Sequence, residues 1–521
     1  MQTAPRARRG GTIARLGAAL CGATVAVLAG WWLATPDSAN EAEAAAAGAA
    51  TRPNFVVVET DDQTVHQFGR GVMPFTERRL AKRGTKLTRF MVTSPFCCPS
   101  RGGTLTGQYA HNHGAWNSYA TFSEPNSTLA SWLKADGYRT AMVGKYLNHY
   151  DNAVDPPARP EKGWSQWRHL LPPLTYYDYS VSVNGRRVHR GDRRSAYQTT
   201  YLNREADDLV RNWAGGQKPF FLWLTPHAPH GENGHSGGPC SGKAVPAPGD
   251  EDLFLDGRLP HGASFNERKI SDKPPFMRQL PRLHKPQIAK LRHASRCRLA
   301  SLREVDRGVK QIFHTLKRKR ALDETVIVFT SDNGLFEGEH RLAGGKRLPY
   351  REAIEVPTAA WIPDDVVGAN VPGKLKQPIA NIDLAPTFLE LAGAEPCRAP
   401  GDCRTMDGRS IVPLLQGDDG AWPADRGVGV EMHNCRYSGI VADDQIYVVH
   451  KSVPINPTRT QGCEQDETIE HYDLGDDPHQ LRNLGPGSAS AALVQRQNHL
   501  SDCTGIAGRD PAPPPGRHYC E

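Results

Sequence analysis

The chain has 521 residues, a length that excludes one simple core and predicts two domains. Its 63 Lys and Arg residues exceed its 56 Asp and Glu residues, which gives a net charge of +7, and much of the excess lies at the N-terminus and between residues 269 and 320. A basic stretch of this kind is either a solvated helix face or a surface that attracts a polyanion. We favour the solvated face, and we expect no nucleic-acid partner.

The first 50 residues have the pattern of an export signal and a linker. Four arginines precede or open an apolar run from residue 16 to residue 34, and a tract rich in Pro, Ala and Glu follows from residue 35 to residue 50. Small residues suited to cleavage lie within that tract. The pattern predicts a secreted, extracellular protein without a stable membrane partner. An uncleaved segment that attaches the protein to a membrane or cell surface is the alternative.

The first predicted element after this segment is a strand that ends in two carboxylates. Residues 54–60 form a continuous run rich in β-branched residues, which is typical of a strand buried on both faces of a parallel sheet. Asp61 and Asp62 follow at the end where open α/β sheets place their ligands. By itself, such a pair belongs to a loop about as often as to a metal site.

The stretch from Cys97 to Gly107 carries the most specific motif. Pro99 and Ser100 are start signals of a helix, and the positive end of a helix favours anions. The order Cys-x-Pro-Ser-Arg, followed by Leu-Thr-Gly, resembles the signature of the sulfatase family; two structural or disulfide-bonded cysteines are the alternative. The resemblance implies that a formylglycine-generating enzyme oxidises Cys97 to formylglycine, and that Arg101 belongs to the catalytic site.

A predicted strand at 140–143 leads to the next motif, Gly-Lys-Tyr-Leu-Asn at 144–148. The family usually has Gly-Lys-x-His here, whereas this chain keeps Lys145 and has Leu147 in place of the His. Together with Cys-Cys-Pro-Ser-Arg and with His-Asn-His at 111–113, the motif is more similar to the N-acetylglucosamine-6-sulfatase branch. The identity of a second proton-transfer residue therefore stays open, with three candidates: His111, His113 and Asn148.

A second buried strand is predicted at 219–225. The Ala-Pro-His sequence after it matches His230 to a family histidine that contacts the sulfate or the leaving group, and we expect a structural role for His227. Residues 231–285 lack periodicity, which predicts a surface insertion over the active site. A long amphipathic helix is predicted from residue 285 to residue 316.

A third buried strand at 325–330 precedes Asp332 and Asn333, which resemble the second half of the sulfatase metal site. Related two-zinc phosphatases carry Asp-His here, whereas Asp-Asn supplies only oxygens, which suit one Ca²⁺ ion, or Mg²⁺. Lys346 resembles the sulfate-binding lysine of the family; without the resemblance, Lys145 and Lys346 would be ordinary surface lysines. The implied metal ligands are Asp61, Asp62, Asp332, Asn333 and the modified Cys97.

The last hundred residues predict a separate unit. Short strand-like runs after residue 417 suggest a small antiparallel domain, and residues 471–484 resemble the C-terminal segment of the family. The resemblance implies an α/β fold of the alkaline phosphatase type with a mainly parallel central sheet. We expect a catalytic domain at 51–417 and a smaller antiparallel α+β subdomain at 418–521.

Eight of the 11 cysteines remain once Cys21, Cys97 and Cys98 are set aside, and an even number fits an oxidising compartment. We expect Cys98 to be a buried free thiol. The short spacings suggest three disulfides, and the two remaining residues a fourth: Cys397–Cys403, Cys435–Cys463, Cys503–Cys520 and Cys240–Cys297.

The resemblance implies hydrolysis of sulfate monoesters, most specifically the 6-O-sulfate of an N-acetylglucosamine-type sugar at a chain end. The hydrate of formylglycine would attack sulfur, His230 would protonate the leaving alcohol, and Lys145 and Lys346 would bind the sulfate. Three alternatives stay open: a broad arylsulfatase, a phosphonate or phosphodiester hydrolase of the same superfamily, and a non-catalytic polyanion-binding protein in which Cys97 is unmodified.

Overall fold

The apolar strand at residues 54–60 lies in the middle of a large sheet. The computed structural model describes residues 52–399, 401–433, 435–457 and 462–521, and Thr51–Glu521 form one compact unit. The predicted export segment lies outside the described residues. Among the residues that are described, no helix combines the length and the apolar character needed to cross a membrane.

The strands are numbered along the chain. They are β1 (Asn54–Thr60), β2 (Thr85–Leu87), β3 (Phe90–Met91), β4 (Arg139–Gly144), β5 (Gln166–Leu171), β6 (Tyr179–Val183), β7 (Arg186–Arg190), β8 (Phe220–Thr225), β9 (Thr325–Ser331), β10 (Thr358–Trp361), β11 (Lys374–Leu375), β12 (Ile379–Ala380), β13 (Val428–Met432), β14 (Tyr437–Ala442), β15 (Gln445–His450), β16 (Val453–Pro454), β17 (Cys463–Glu464) and β18 (Thr468–Asp473).

The helices of seven or more residues are numbered in the same way. They are α1 (Cys97–Thr106), α2 (Leu129–Ala135), α3 (Gln198–Trp213), α4 (Lys285–Arg318), α5 (Leu384–Ala392) and α6 (Ala491–Leu500). The shorter helical segments are Val65–Gln67, Pro74–Thr76, Glu77–Ala81, Ala110–His113, Tyr119–Thr121, Tyr150–Ala153, Arg194–Ala196, Pro275–Arg278, Leu322–Glu324, Arg351–Ile354, Asp364–Val367, Asn381–Asp383, Val412–Leu415 and Asp419–Ala421.

A ten-stranded sheet with the order β11-β2-β10-β9-β1-β8-β4-β5-β6-β7 carries the fold. Its central strands, from β9 to β5, are parallel, and antiparallel strands extend it on both sides. A separate antiparallel sheet, β13-β14-β15-β18, lies in the C-terminal part of the chain. The predicted α/β class with a mainly parallel sheet and a C-terminal antiparallel part is confirmed, while the boundary at residue 417 stays a prediction.

Helices cover both faces of the large sheet, which explains the apolar run in β1. Successive residues of a strand point to opposite faces. Phe55 therefore packs into the core that includes Phe388 of α5, whereas Val56 packs into the core that includes Leu202 of α3 and Leu302 of α4. The burial of both faces leaves the carboxyl ends of the parallel strands as the place where polar side chains can gather.

The predicted disulfides are all present in the structure: Cys240–Cys297, Cys397–Cys403, Cys435–Cys463 and Cys503–Cys520. Cys98 is a buried free thiol, as expected. The segment 231–285 contains one short helix, Pro275–Arg278, and is otherwise irregular. Its disulfide from Cys240 to Cys297 attaches this insertion to α4, whose bounds match the predicted long helix.

Candidate active site

Strands β1 and β9 end side by side, so the carboxylates that follow them meet. Thr60 pairs with Ser331 in the parallel register, and the Asp332 N–H donates to the Thr60 carbonyl at 3.0 Å. Asp62 has a left-handed backbone with φ +67°, and this turn lets Asp61 and Asp62 face the same point. The ligand atoms of the buried cluster all lie within 4.8 Å of one another: Asp61, Asp62, Cys97 and Asp332.

Asn333 completes the predicted set of metal ligands. Its amide donates to Asp62 Oδ1 at 2.6 Å and its Oδ1 accepts a hydrogen bond from Lys346 at 3.3 Å. The Asp62 N–H donates to Asp332 Oδ1 at 3.1 Å, which joins the two strand ends. The structure thus brings together every side chain that the sequence assigned to a metal.

Cys97 is the first residue of α1, and its sulfur faces the carboxylates. The Sγ atom lies 3.4 Å from Asp61 Oδ1, and Lys346 Nζ donates to the sulfur at 2.9 Å. Burial, with the Asp61 charge, raises the pKa of the Cys97 thiol to about 12. Residue 97 therefore sits at the positive end of a helix, against the carboxylate cluster, and these surroundings do not generate a thiolate.

Two lysines reach the cluster from loops after β4 and β9. Lys145 Nζ lies 2.5 Å from Asp61 Oδ2, and Lys346 forms an ion pair with Asp62. Burial opposes their charge, but the adjacent carboxylates raise the pKa of both amines above the ordinary value. Both side chains are ammonium ions at neutral pH. The alternative that they are surface lysines is wrong, because their exposures are 7% and 8%.

Arg101 lies beneath the cluster and is fully buried. Its Nε donates to Asp332 Oδ2 at 2.9 Å and its Nη1 donates to the Lys145 carbonyl at 2.9 Å. Burial raises the pKa of the neighbouring Glu59 to about 7, against the pull of Arg101. Arg101 thus fixes Asp332 and the backbone at Lys145 from below, and it does not line the cleft described next.

A cleft of about 270 Å³ opens beside the cluster. Four of the predicted catalytic residues line it: Cys97, Lys145, His230 and Lys346. The other residues that line it are Phe96, Leu147, Asn148, His149, Tyr150, Asp151, His169, Leu170, Pro172, Leu174, His227 and Asn233. Two lysine ammonium groups together with polar, aromatic and apolar side chains suit an anion attached to a small polar group.

Two histidines border the cluster from the loop after β8. His230 Nε2 lies 3.6 Å from Asp62 Oδ2, and its Nδ1 donates to the Gly231 carbonyl at 2.5 Å. Burial lowers the pKa of His230 to about 4. His227 Nδ1 lies 3.4 Å from Asp61 Oδ2, so the residue expected to be structural is a direct neighbour of the cluster.

The three candidates for a second proton-transfer residue lie in different places. Asn148 lines the cleft. The His111 ring bonds instead to Glu431 at 2.8 Å and to the Cys503 carbonyl at 2.9 Å, and His113 packs beneath α1, where a Cβ on Gly102 would lie 2.7 Å from its ring. His111 therefore bonds to the C-terminal part of the chain and His113 packs against α1, and both lie outside the cleft.

Two features of the site were not predicted. His169, at the carboxyl half of β5, lines the cleft with its Nε2 3.0 Å from Asp151 Oδ2. Arg298 of α4 donates to the Pro229 carbonyl at 3.0 Å and also to the Asp62 carbonyl, which fixes two of the site's loops. Neither His169 nor Arg298 belongs to a motif. Only its position near the carboxyl end of β5 could have indicated His169.

The donor set fits one hard divalent cation. Asp61, Asp62 and Asp332 carry −3, which Arg101, Lys145 and Lys346 balance with +3. Burial and the Asp61 charge raise the pKa of Asp332, which indicates that the carboxylates repel one another. A divalent cation would relieve this repulsion and leave the site at +2, which favours an anionic substrate.

Comparison with known proteins points to one family. The family model described as Sulfatase matches residues 53–394, and one described as N-sulphoglucosamine sulphohydrolase, C-terminal, matches residues 338–502. The chain is 32% identical over 374 residues to an extracellular sulfatase SULF-1 homolog of Drosophila melanogaster, which covers 70% of this chain. The chain spans only 31% of the length of that fly protein.

A goat protein matches over nearly its whole length. The N-acetylglucosamine-6-sulfatase of Capra hircus is 30% identical over an alignment of 506 residues. This alignment covers 89% of this chain and 86% of the goat protein. The solved structure of BT4656 in complex with its substrate D-glucosamine-2-N,6-O-disulfate has a TM-score of 0.69 and 22% identity, and it covers 86% of this chain and 96% of that one. At this identity the structural likeness supports the fold alone.

Proposed function

This chain belongs to the sulfatase family, and we propose that it hydrolyses sulfate monoesters with a formylglycine formed from Cys97. One observation carries the proposal: the residue-97 sulfur lies at the start of α1, between the Asp61 carboxylate at 3.4 Å and the Lys346 amine at 2.9 Å. This position places a nucleophile between a carboxylate cluster that fits a cation and an amine that can bind the sulfate.

The chemistry at residue 97 suits the modified side chain better than the thiol. The pKa of the thiol is about 12, so a cysteine here is un-ionised at neutral pH. A formylglycine hydrate supplies one hydroxyl for attack on sulfur and a second hydroxyl whose deprotonation expels the sulfate. Lys346 Nζ, at 2.9 Å from the sulfur, is placed to donate to the attacking oxygen.

We assign the cation to Asp61, Asp62, Asp332, Asn333 and residue 97. All the protein donors apart from residue 97 are oxygens, which favours Ca²⁺, with Mg²⁺ as the alternative, over zinc. When bound, the cation acidifies the hydrate and neutralises charge on the sulfate oxygens. Arg101 keeps Asp332 oriented through its bond at 2.9 Å, so we assign it a positioning role.

The sulfate group would bind in the part of the cleft that Lys145, Lys346 and His230 line. Two ammonium groups and an imidazole supply donors where charge spreads over the sulfate oxygens. His230 is neutral at pH 7 because burial lowers its pKa to about 4. A bound sulfate ester places a negative charge beside the ring and raises this pKa, which is the condition for proton donation to the leaving oxygen.

Replacing His230 with glutamine tests its role as the acid. A sugar alcohol is a poor leaving group and needs protonation, whereas a nitrophenolate leaves without it. We expect kcat to fall roughly 10²–10³-fold on a 6-sulfated sugar and less than about tenfold on nitrophenyl sulfate. His227→Gln is the matched control, and its losses should be equal on both substrates. Equal losses for His230→Gln would exclude proton donation.

The size of the cleft favours a substrate group of about one sulfated ring. Its volume of about 270 Å³ suits a monosaccharide-sized group. Asn148, His149, Asp151 and Asn233 are lining residues with hydrogen-bonding side chains. We propose removal of a 6-O-sulfate from a glucosamine-type residue at a chain end. The similarity to the goat N-acetylglucosamine-6-sulfatase supports this choice.

Kinetics on three substrates test this specificity: 6-O-sulfated N-acetylglucosamine, 6-O-sulfated galactose and nitrophenyl sulfate. If buried hydrogen bonds read the sugar hydroxyls, kcat/KM for the right sugar should exceed that for the aryl sulfate by ~10²-fold or more, because unpaired polar groups in the site are costly. Equal values on all three substrates would indicate a generalist arylsulfatase. Higher values on phosphonate or phosphodiester substrates would replace the sulfatase assignment altogether.

We also propose that the protein acts outside the cytoplasm. Four disulfides fit an oxidising compartment, and the similar fly protein is described as an extracellular sulfatase. The N-terminal amino-acid sequence of the mature protein, determined by Edman degradation, tests the predicted cleavage within residues 35–50.

A further inference from the structure

Strand β7 and the loop after it carry a dense group of arginines on the open edge of the large sheet. Residues 186–194 read Arg-Arg-Val-His-Arg-Gly-Asp-Arg-Arg, with five arginines and one acidic residue. Within the described ranges, β7 is the last strand in the sheet order and pairs only with β6. We call residues 186–194 the arginine edge.

Few of these charges have an acidic partner among the residues that the structure describes. In the described part of the chain, the ion pairs of the arginine edge are His189–Asp178 at 3.1 Å and Arg194–Glu251 at 3.6 Å, both between exposed groups. Arg190 lies over the Tyr201 ring at 4.2 Å. Three exposed guanidinium groups are left without an acidic neighbour within ion-pair distance: Arg186, Arg187 and Arg193.

The strand register places the arginine edge beside the cleft. Leu170 lines the cleft and pairs with Val181 of β6, which in turn pairs with Val188 in the middle of the arginine edge. Two strand spacings, or roughly 10 Å, therefore separate the backbone of Val188 from that of Leu170. Arg190 pairs with Tyr179 toward the carboxyl end of β5, so the chain after it continues on the side of the sheet where the cleft opens.

We propose that the arginine edge binds a linear sulfated polysaccharide whose terminal residue occupies the cleft. Guanidinium groups present a planar fork that matches sulfate oxygens in pairs, which a lysine ammonium does not. Edge strands often carry charged side chains, especially lysine, that prevent aggregation, but that role does not require five arginines in nine residues. Five arginines that repel one another are better explained by a polyanionic partner. Binding at the arginine edge does not depend on the reaction, whereas the effect of this binding on the kinetics rests on the proposed function.

The binding test uses full-length protein with Cys97→Ala, so that no turnover occurs, and fluorescently labelled heparin as the probe. The variant Arg186→Gln, Arg187→Gln, Arg193→Gln should raise the Kd about tenfold at low salt and reduce the slope of log Kd against log salt by ~2–3. These side chains are exposed and unpaired, so we expect no change in folding.

A matched control removes three charges elsewhere. Lys317, Lys319 and Arg320 are exposed at the end of α4, which leads through Leu322–Glu324 into the start of β9. They therefore lie near the amino-terminal ends of the parallel strands, whereas the cleft lies at the carboxyl-terminal ends. The variant Lys317→Gln, Lys319→Gln, Arg320→Gln has the same net charge as the arginine-edge variant, and it should change the Kd less than about twofold. Equal losses in the two variants would overturn the proposal, because net charge alone would explain them.

Two further measurements separate the remaining outcomes. In the active enzyme, the arginine-edge variant should lose about tenfold in kcat/KM on a sulfated oligosaccharide, through KM, and nothing on the sulfated monosaccharide. Equal losses on both would mean that the segment shapes the cleft and would overturn the proposal. Equal affinity for a DNA duplex of matched charge would also overturn the proposal, because the arginine edge would then bind any polyanion. Heparin binding that depends on the arginine edge in a protein without sulfatase activity would leave this inference standing and refute the proposed function.

Discussion

Replacing Cys97 with alanine is expected to abolish sulfate-ester hydrolysis, with a loss of roughly 10⁴-fold or more in kcat. In the proposed mechanism the formylglycine at residue 97 supplies both the attacking oxygen and the oxygen whose deprotonation releases sulfate, so no neighbouring group would replace it. The side chain is small and lies at the edge of the cleft, so the folded structure should persist. The measurement is kcat on nitrophenyl sulfate, with circular dichroism as the check on folding.

The adjacent Cys98 provides the matched control. It is also a buried free thiol, but it packs in the hydrophobic core and does not line the cleft. Cys98→Ala should cost about 1 kcal/mol of stability and change kcat less than about threefold. A Cys97→Ala enzyme that keeps a tenth of the activity, or a Cys98→Ala enzyme that loses as much, would refute the assignment of residue 97.

Mass spectrometry of the same region separates the enzyme from a non-catalytic binder. Trypsin releases residues 90–101, which contain both cysteines. After alkylation, a converted protein should show one modified thiol, at Cys98, and an aldehyde at residue 97 that reacts with a hydrazide. Two alkylated thiols in protein from the native host would mean that Cys97 is not converted there.

The parts of the fold that could be predicted are those where one local pattern determines the structure. β1, β8 and β9 are buried on both faces, so their apolar runs are continuous and their polar ends are distinct. Parallel strands end at one edge of the sheet, which agrees with the proximity of Asp61 and Asp332 that the family resemblance implied. The disulfides and the long helix followed from spacing and periodicity in the same way.

The parts that could not be predicted depend on neighbours distant in the sequence. β7 has no alternating apolar pattern, because it lies at the edge and exposes most of its side chains, so its residues resemble a loop. The pair formed by His169 and Asp151 joins a strand to the short helical segment Tyr150–Ala153. Arg298 lies on the predicted helix, and only the structure reveals that it reaches the carbonyl of Asp62.

Asp332→Asn is expected to remove cation binding and activity together. Asp332 accepts hydrogen bonds from the Asp62 N–H at 3.1 Å and from Arg101 Nε at 2.9 Å. Asparagine has the same shape but lacks the charge, so it weakens the donor set and leaves Arg101 without its closest carboxylate. We expect Ca²⁺ affinity to fall at least ~10²-fold and kcat/KM at least ~10³-fold. Calorimetric titration of chelator-treated protein with CaCl₂ measures the affinity.

Asp306→Asn is the matched control, because it removes another buried carboxylate without touching the site. Asp306 of α4 accepts hydrogen bonds from the Phe75 N–H at 3.0 Å and from the Thr76 N–H at 2.8 Å. Its loss should lower the Tm while Ca²⁺ affinity and kcat stay near the unmutated values. Saturating Ca²⁺ should raise the Tm of the unmutated protein and of Asp306→Asn by roughly 2–5 °C, and should not change that of Asp332→Asn. If Asp332→Asn binds Ca²⁺ normally, the cation is held by other residues. If elemental analysis of the unmutated protein finds two zinc ions, the site works by phosphatase-like chemistry instead.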